Sequence, residues 1–151
     1  GMAKAARELL DLGWIDDSPA FHAAQAAGCA PIADAWDDGT AEHDPVDHPD
    51  TICGGIEVAD PEGGRLMLDT VRESGGTAVA TGDDDVLAAA VEVAGSAGVE
   101  MGATSGVAVS GARELAKRDV FAADETIVLV NTATGNKESD LLRSHLMSQG
   151  I

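Results

Sequence analysis

Short apolar runs alternate along this chain with helical stretches of about ten residues, and this alternation limits the fold more than any other feature. Parallel neighbours cannot be joined by a tight hairpin, so strands separated by helices pair in parallel through right-handed crossovers. The expected class is α/β: a three-layer arrangement of a parallel sheet with flanking helices. Runs 21–27, 77–81 and 126–130 read as strands, the last most clearly because Thr126, Ile127, Val128, Leu129 and Val130 are all apolar or β-branched. Helical spacing marks 4–12, closed by Gly13, and a segment from 64 stopped by Gly75 and Gly76. A helix over 30–36 has Pro31 in its first turn, where a missing N–H costs nothing. Asp83, Asp84 and Asp85 suit the amino end of a helix running to 94, and Arg113, Lys117 and Arg118 the carboxyl end of one over 103–117. A closing helix covers 139–148, 37–49 is a loop, and 50–61 fits neither period.

Composition narrows the partners. The chain has 151 residues, with 27 Asp and Glu against 9 Lys and Arg, a formal charge of −18. One domain's length is implied. Each nucleic-acid phosphate contact needs a Lys or Arg, so neither nucleic acid nor an anionic membrane is an expected partner. No apolar run approaches the roughly 20 residues of a helical bilayer span. Aspartate-rich acidity with few lysines and 3% aromatics fits a cytoplasmic protein of an extreme halophile, where molar salt screens carboxylate repulsion. Cys29 and Cys53 have neither metal spacing nor a disulfide framework and read as small apolar residues in a reducing compartment. Gly1 ahead of Met2 reads as the remnant of a removed tag.

Candidate chemistry is sparse. Glu42, His43, Asp44, Asp47, His48 and Asp50 include hard metal ligands, yet their spacing matches no metal motif and a solvated acidic loop explains them. His22 and His145 read as structural. No G-x-S-x-G elbow surrounds Ser74, Ser105 or Ser110, and no Walker loop occurs. Gly98, Gly102 and Gly106 recur every four residues, which suits close packing or backbone approach to a cofactor. Residues 131–136 follow directly on an expected strand, where α/β proteins bind ligands, and Thr132 there could serve a ring nitrogen or simply belong to a hydroxyl-rich turn.

Taken in order, Ala27-Gly28-Cys29-Ala30-Pro31-Ile32, the stretch from Asp50-Thr51-Ile52 to Ala59-Asp60-Pro61, Val71-Arg72-Glu73-Ser74-Gly75-Gly76, Gly98-Val99-Glu100 and Thr132-Ala133-Thr134-Gly135 resemble threonine synthases. These belong to the tryptophan-synthase-β-like, fold-type II family of pyridoxal-phosphate enzymes. The resemblance implies that the chain is the carboxyl-terminal part of the large lobe, one domain over 1–151, with the phosphate loop and the Schiff-base lysine upstream. No catalytic residue is then expected within it. The family's Thr-Gly-x-Gly-x-Lys segment corresponds to Thr132, Ala133, Thr134, Gly135, Asn136 and Lys137, and its Val-Glu-Pro to Val99, Glu100 and Met101. Cofactor-binding roles are therefore implied for Thr132, Thr134, Gly135 and Glu100, with the Thr132 hydroxyl on the pyridine nitrogen. A hydroxyl partner leaves that nitrogen unprotonated and moderates the ring as an electron sink.

The resemblance implies a parent that converts O-phosphohomoserine and water to threonine and phosphate, while this chain alone is inactive. A threonine dehydratase or cysteine synthase-like enzyme shares much of the pattern, and a stand-alone partner-binding domain is the non-catalytic alternative. A sheet lacking upstream strands exposes an apolar edge, so self-association is expected. The charge gives a direct prediction: at neutral pH the melting temperature rises between dilute buffer and molar KCl. An unchanged melting temperature contradicts the halophilic reading.

Overall fold

Two parallel strands, β1 (Ala23–Ala26) and β2 (Ala78–Thr81), form the sheet, with Ala23 opposite Ala78 and Ala26 opposite Thr81. The computed structural model describes residues 1–150. Among the described residues six helices complete it: α1 (Met2–Asp11), α2 (Pro31–Asp37), α3 (Gly64–Glu73), α4 (Asp83–Ala97), α5 (Ala103–Lys117) and α6 (Ser139–Ser148). Short 3-10 turns lie at Gly54–Ile56 and Gly135–Glu138.

Alternation along the strands sorts the helices onto opposite faces. Ala23, Ala78 and Ala80 pack against Ala30, Ala33 and Trp36 of the α2 region, and α3 adds Leu68 beside Ile32 and Ala35. On the other face, Ala24 and Ala26 join Val86, Leu87, Ala103 and Val107 of α4 and α5. The result is the expected three-layer α/β order, built on small side chains that let helix and strand backbones approach closely.

Local chemistry explains where the elements start and stop. Pro31 opens α2, and Gln25 of β1 reaches across to accept from the N–H groups of Ile32 and Ala33 at 2.8 and 2.9 Å. The strand thus caps the helix that follows it. Gly98 adopts φ 65° and ends α4 in the left-handed conformation that favours glycine. Gly111 has a packing reason: a Cβ there would come within 2.6 Å of the Ala24 Cβ and 3.3 Å of a Val79 methyl. At Gly106 a Cβ would likewise come within 2.5 Å of the Val86 carbonyl oxygen of α4, so part of the four-residue glycine recurrence is helix contact.

One expected element is corrected. Residues 126–130 form no strand, and among the described residues the sheet contains only β1 and β2. Ile127, Val128, Leu129 and Val130 remain 47, 80, 43 and 48% exposed. β-Branched side chains favour a pleat only where a neighbouring strand supplies the ladder and a cover, and no described segment does so here. The strand expected over 21–27 is shorter, Ala23–Ala26, and the ambiguous 50–61 stretch holds the 3-10 turn Gly54–Ile56.

The acidic loop has its own explanation. His43 Nε2 lies 3.0 Å from Asp60 Oδ1, with its ring against Gly64, and Glu42 pairs with Arg65 at 3.2 Å. His22 Nδ1 accepts from the Thr77 N–H at 3.2 Å, and its ring meets Phe121 edge-on at 5.3 Å. Burial lowers the His22 pKa below its ordinary value, against a smaller opposing pull from Glu125. No helix among the described residues is long and apolar enough to cross a membrane.

Candidate functional site at the carboxyl end of the sheet

Beyond the carboxyl ends of β1 and β2 the chain assembles a polar floor from three separate segments. After β1, the Gly28 carbonyl accepts from the Asp50 N–H at 3.0 Å, and the Asp50 backbone fills the space a side chain at 28 would need. Glycine is thus required at 28 so that residues 50–53 can return to the sheet. There the Thr51 hydroxyl donates to Asp83 Oδ1 at 2.6 Å, and the Ile52 N–H donates to Asp83 Oδ2 at 3.0 Å. Asp83 opens α4 just after β2, so one carboxylate ties the returning 51–52 segment to the end of β2 while sitting where a helix favours negative charge.

Cys53 is fully buried beside this floor. Its thiol is pushed up to about 11, first by burial and further by the Asp83 and Glu138 charges, against the opposing hydrogen bond from Thr51. It stays protonated at neutral pH and is no nucleophile. Burial also raises the Cys29 thiol, and the Glu57 charge acts in the same direction.

The first turn of α5 holds the 131–138 loop. Ser105 Oγ accepts from the N–H groups of Thr132 and Ala133 at 2.9 and 2.7 Å and donates to the Ala133 carbonyl at 3.2 Å. The Gly102 N–H donates to that same carbonyl at 3.0 Å. Asn131 Nδ2 donates to the Glu100 carbonyl at 3.2 Å, and the Thr104 hydroxyl donates to Glu138 Oε1 at 3.1 Å. The loop is therefore clamped near both ends.

Sequence-expected site residues divide on this frame. Thr132, Thr134 and Glu100 are exposed, while Gly135 is buried, with Leu142, the Met101 carbonyl and the Glu100 Cγ all within 3.3 Å of where its Cβ would lie. Gly135 and Glu100 are thus brought into contact, and Thr132 is anchored by its backbone so that its side chain is left to solvent. A fixed, exposed hydroxyl can donate to a neutral ring nitrogen. Sequence reasoning missed Ser105, Thr104 and Glu138. A hydroxyl pair inside the glycine-rich opening of α5 was the available signal, but its partners lie 27 to 34 residues away.

An α/β protein with a clamped, hydroxyl-bearing loop at the carboxyl end of its parallel strands has the layout of a small-molecule site of this fold class. The family model described as pyridoxal-phosphate dependent enzyme matches residues 1–133, and the chain belongs to that family. Among its relatives is the threonine synthase of Methanosarcina acetivorans, 34% identical over 129 residues that make up 85% of this chain and 32% of the relative. The threonine synthase of Methanocaldococcus jannaschii is 29% identical over 137 residues, 91% of this chain and 34% of the relative. That of Mycobacterium tuberculosis is 30% identical over 137 residues, 91% and 36% respectively. The chain spans about a third of the length of these curated relatives.

Membership implies pyridoxal phosphate as the cofactor of the complete enzyme. The residues present suit one edge of it: Thr132 offers a hydroxyl, and Ser105 restrains the backbone that carries it.

Proposed function

We propose that this chain forms the pyridine-nitrogen side of the cofactor site in a threonine synthase that converts O-phosphohomoserine and water to threonine and phosphate. The clamp of Ser105 on the Thr132 and Ala133 N–H groups carries this reading. It fixes the one exposed hydroxyl that the family pattern aligns with the ring nitrogen. When bound, pyridoxal phosphate supplies an electron sink for the amino-acid carbons. Thr132 hydrogen-bonds the nitrogen without protonating it, Ser105 and Gly102 hold the loop, and Gly135 with Glu100 shapes its far side.

The 151 residues alone are proposed to be inactive. Lys4 and Lys117 pair on the helix surface with Glu8 and Glu114, and Lys137 is exposed in the 3-10 turn, so none is set within an enclosed site to anchor a cofactor. Alone, the chain is also proposed to self-associate, residues 127–130 pairing with the same segment of a second copy about a two-fold axis, which leaves the two segments covering one another. Sedimentation in molar KCl should show dimers that Val128→Asp returns to monomer; a wild-type monomer at every concentration contradicts this.

In the complete enzyme, Thr132→Val keeps the side-chain shape and deletes the hydroxyl. It should lower kcat/KM about tenfold, the size of one lost hydrogen bond, with Thr132→Ser close to wild type. Full activity in Thr132→Val contradicts the assignment.

A further inference from the structure

Glu138 contains the one buried side-chain oxygen among the described residues that lacks a hydrogen-bond partner, Oε2. Its other oxygen accepts from Thr104 at 3.1 Å. A carboxylate oxygen out of water without a donor is unfavourable unless a positive field offsets it. Oε2 lies against Gly102, the residue preceding α5, in the space a side chain there would need. This is the positive end of α5. No side chain caps it, and the first-turn N–H groups of Ala103 and Thr104 have no acceptor within the helix.

The same turn of α5 holds the other end of the loop, through Ser105 on Thr132 and Ala133 and through Gly102 on the Ala133 carbonyl. Between these anchors the Lys137 N–H donates to the Thr134 carbonyl at 3.3 Å, which makes 134–138 one tight turn. Displacing Glu138 therefore shifts that turn and, through it, the backbone of residues 132 and 133. Gly55 leaves room for the Thr104 rotamer involved, since a Cβ there would approach the hydroxyl to 3.1 Å.

We propose that Glu138 is a positioning residue, whose carboxylate, seated on the amino end of α5 and held by Thr104, latches the 132–138 loop and so fixes the placement of the Thr132 hydroxyl. Its consequence for the cofactor rests on the role of Thr132 proposed above; the latch itself does not. Charge is part of the device, because an amide of the same shape keeps the Thr104 contact but loses most of the attraction to the helix end.

The test uses the complete protein and begins without cofactor, by amide hydrogen exchange. Glu138→Ala should speed exchange at Thr132 and Ala133 about tenfold, the scale of one such interaction, while Val109 inside α5 keeps its wild-type rate. Glu138→Gln should restore part of the protection. Thr104→Val, which removes the donor and leaves the carboxylate, should loosen the same two amides. Unchanged exchange at 132 and 133 in Glu138→Ala overturns the proposal, and so does equal acceleration at Val109, which would make Glu138 a support of the whole helix. A titration with pyridoxal phosphate then separates the two readings. Weaker binding in step with the loosened loop supports both, whereas a loosened loop with wild-type cofactor affinity keeps the latch and overturns the role of Thr132.

Discussion

The close approach of α5 to the two-stranded sheet sets everything else in this molecule. Gly111 lets the helix settle onto Ala24 and Val79, and Gly106 lets α4 press against it from the side. With both contacts made, Ala103 and Val107 join Ala26 and Val86 in one buried cluster, and the amino end of α5 comes to the carboxyl ends of the strands. A side chain at either glycine would push the helix outward and carry Gly102, Thr104 and Ser105 with it. Loop position, and hence the chemistry available at Thr132, is inherited from this packing.

That dependence explains what the sequence could and could not reveal. The expected bounds of α5 and α6 match the structure, because caps, charge placement and apolar period are local signals. α4 runs from Asp83 to Ala97, three residues past the expected 94, since its Ala-rich last turn continues to the glycine at 98. Residues 126–130 misled for the opposite reason: their composition describes a strand, but pairing is a property of what lies beside them. Thr132 stands out by its place after an expected strand that the structure does not form, and its role is preferred to a plain turn only through resemblance to a family. The partnerships of Ser105, Thr104 and Glu138 were not legible, because each acts across 27 residues or more of intervening chain.

Charge is handled differently inside and outside. On the surface several basic side chains pair within helical reach, as Arg118 with Glu114 at 3.1 Å and Arg65 with Asp69 at 3.7 Å, while Arg113 reaches across to Glu92 at 2.6 Å. Such exposed pairs are screened by water and salt, contribute little to stability, and leave most of the acid uncompensated. At the carboxyl end of the sheet, by contrast, Asp83 and Glu138 are placed at helix amino ends and given hydroxyl or amide donors. Fixed donors and helix ends, not mobile lysines, hold the carboxylates that shape the site.

The central claim is that the clamped loop presents Thr132 to the ring nitrogen of pyridoxal phosphate. A structure of the complete protein with its cofactor bound measures this directly. The account predicts the Thr132 hydroxyl oxygen at about 2.7–3.2 Å from the pyridine nitrogen, with Ser105 still holding the Thr132 and Ala133 N–H groups. A nitrogen that instead faces a carboxylate, or a Thr132 hydroxyl beyond about 4 Å from it, contradicts the account.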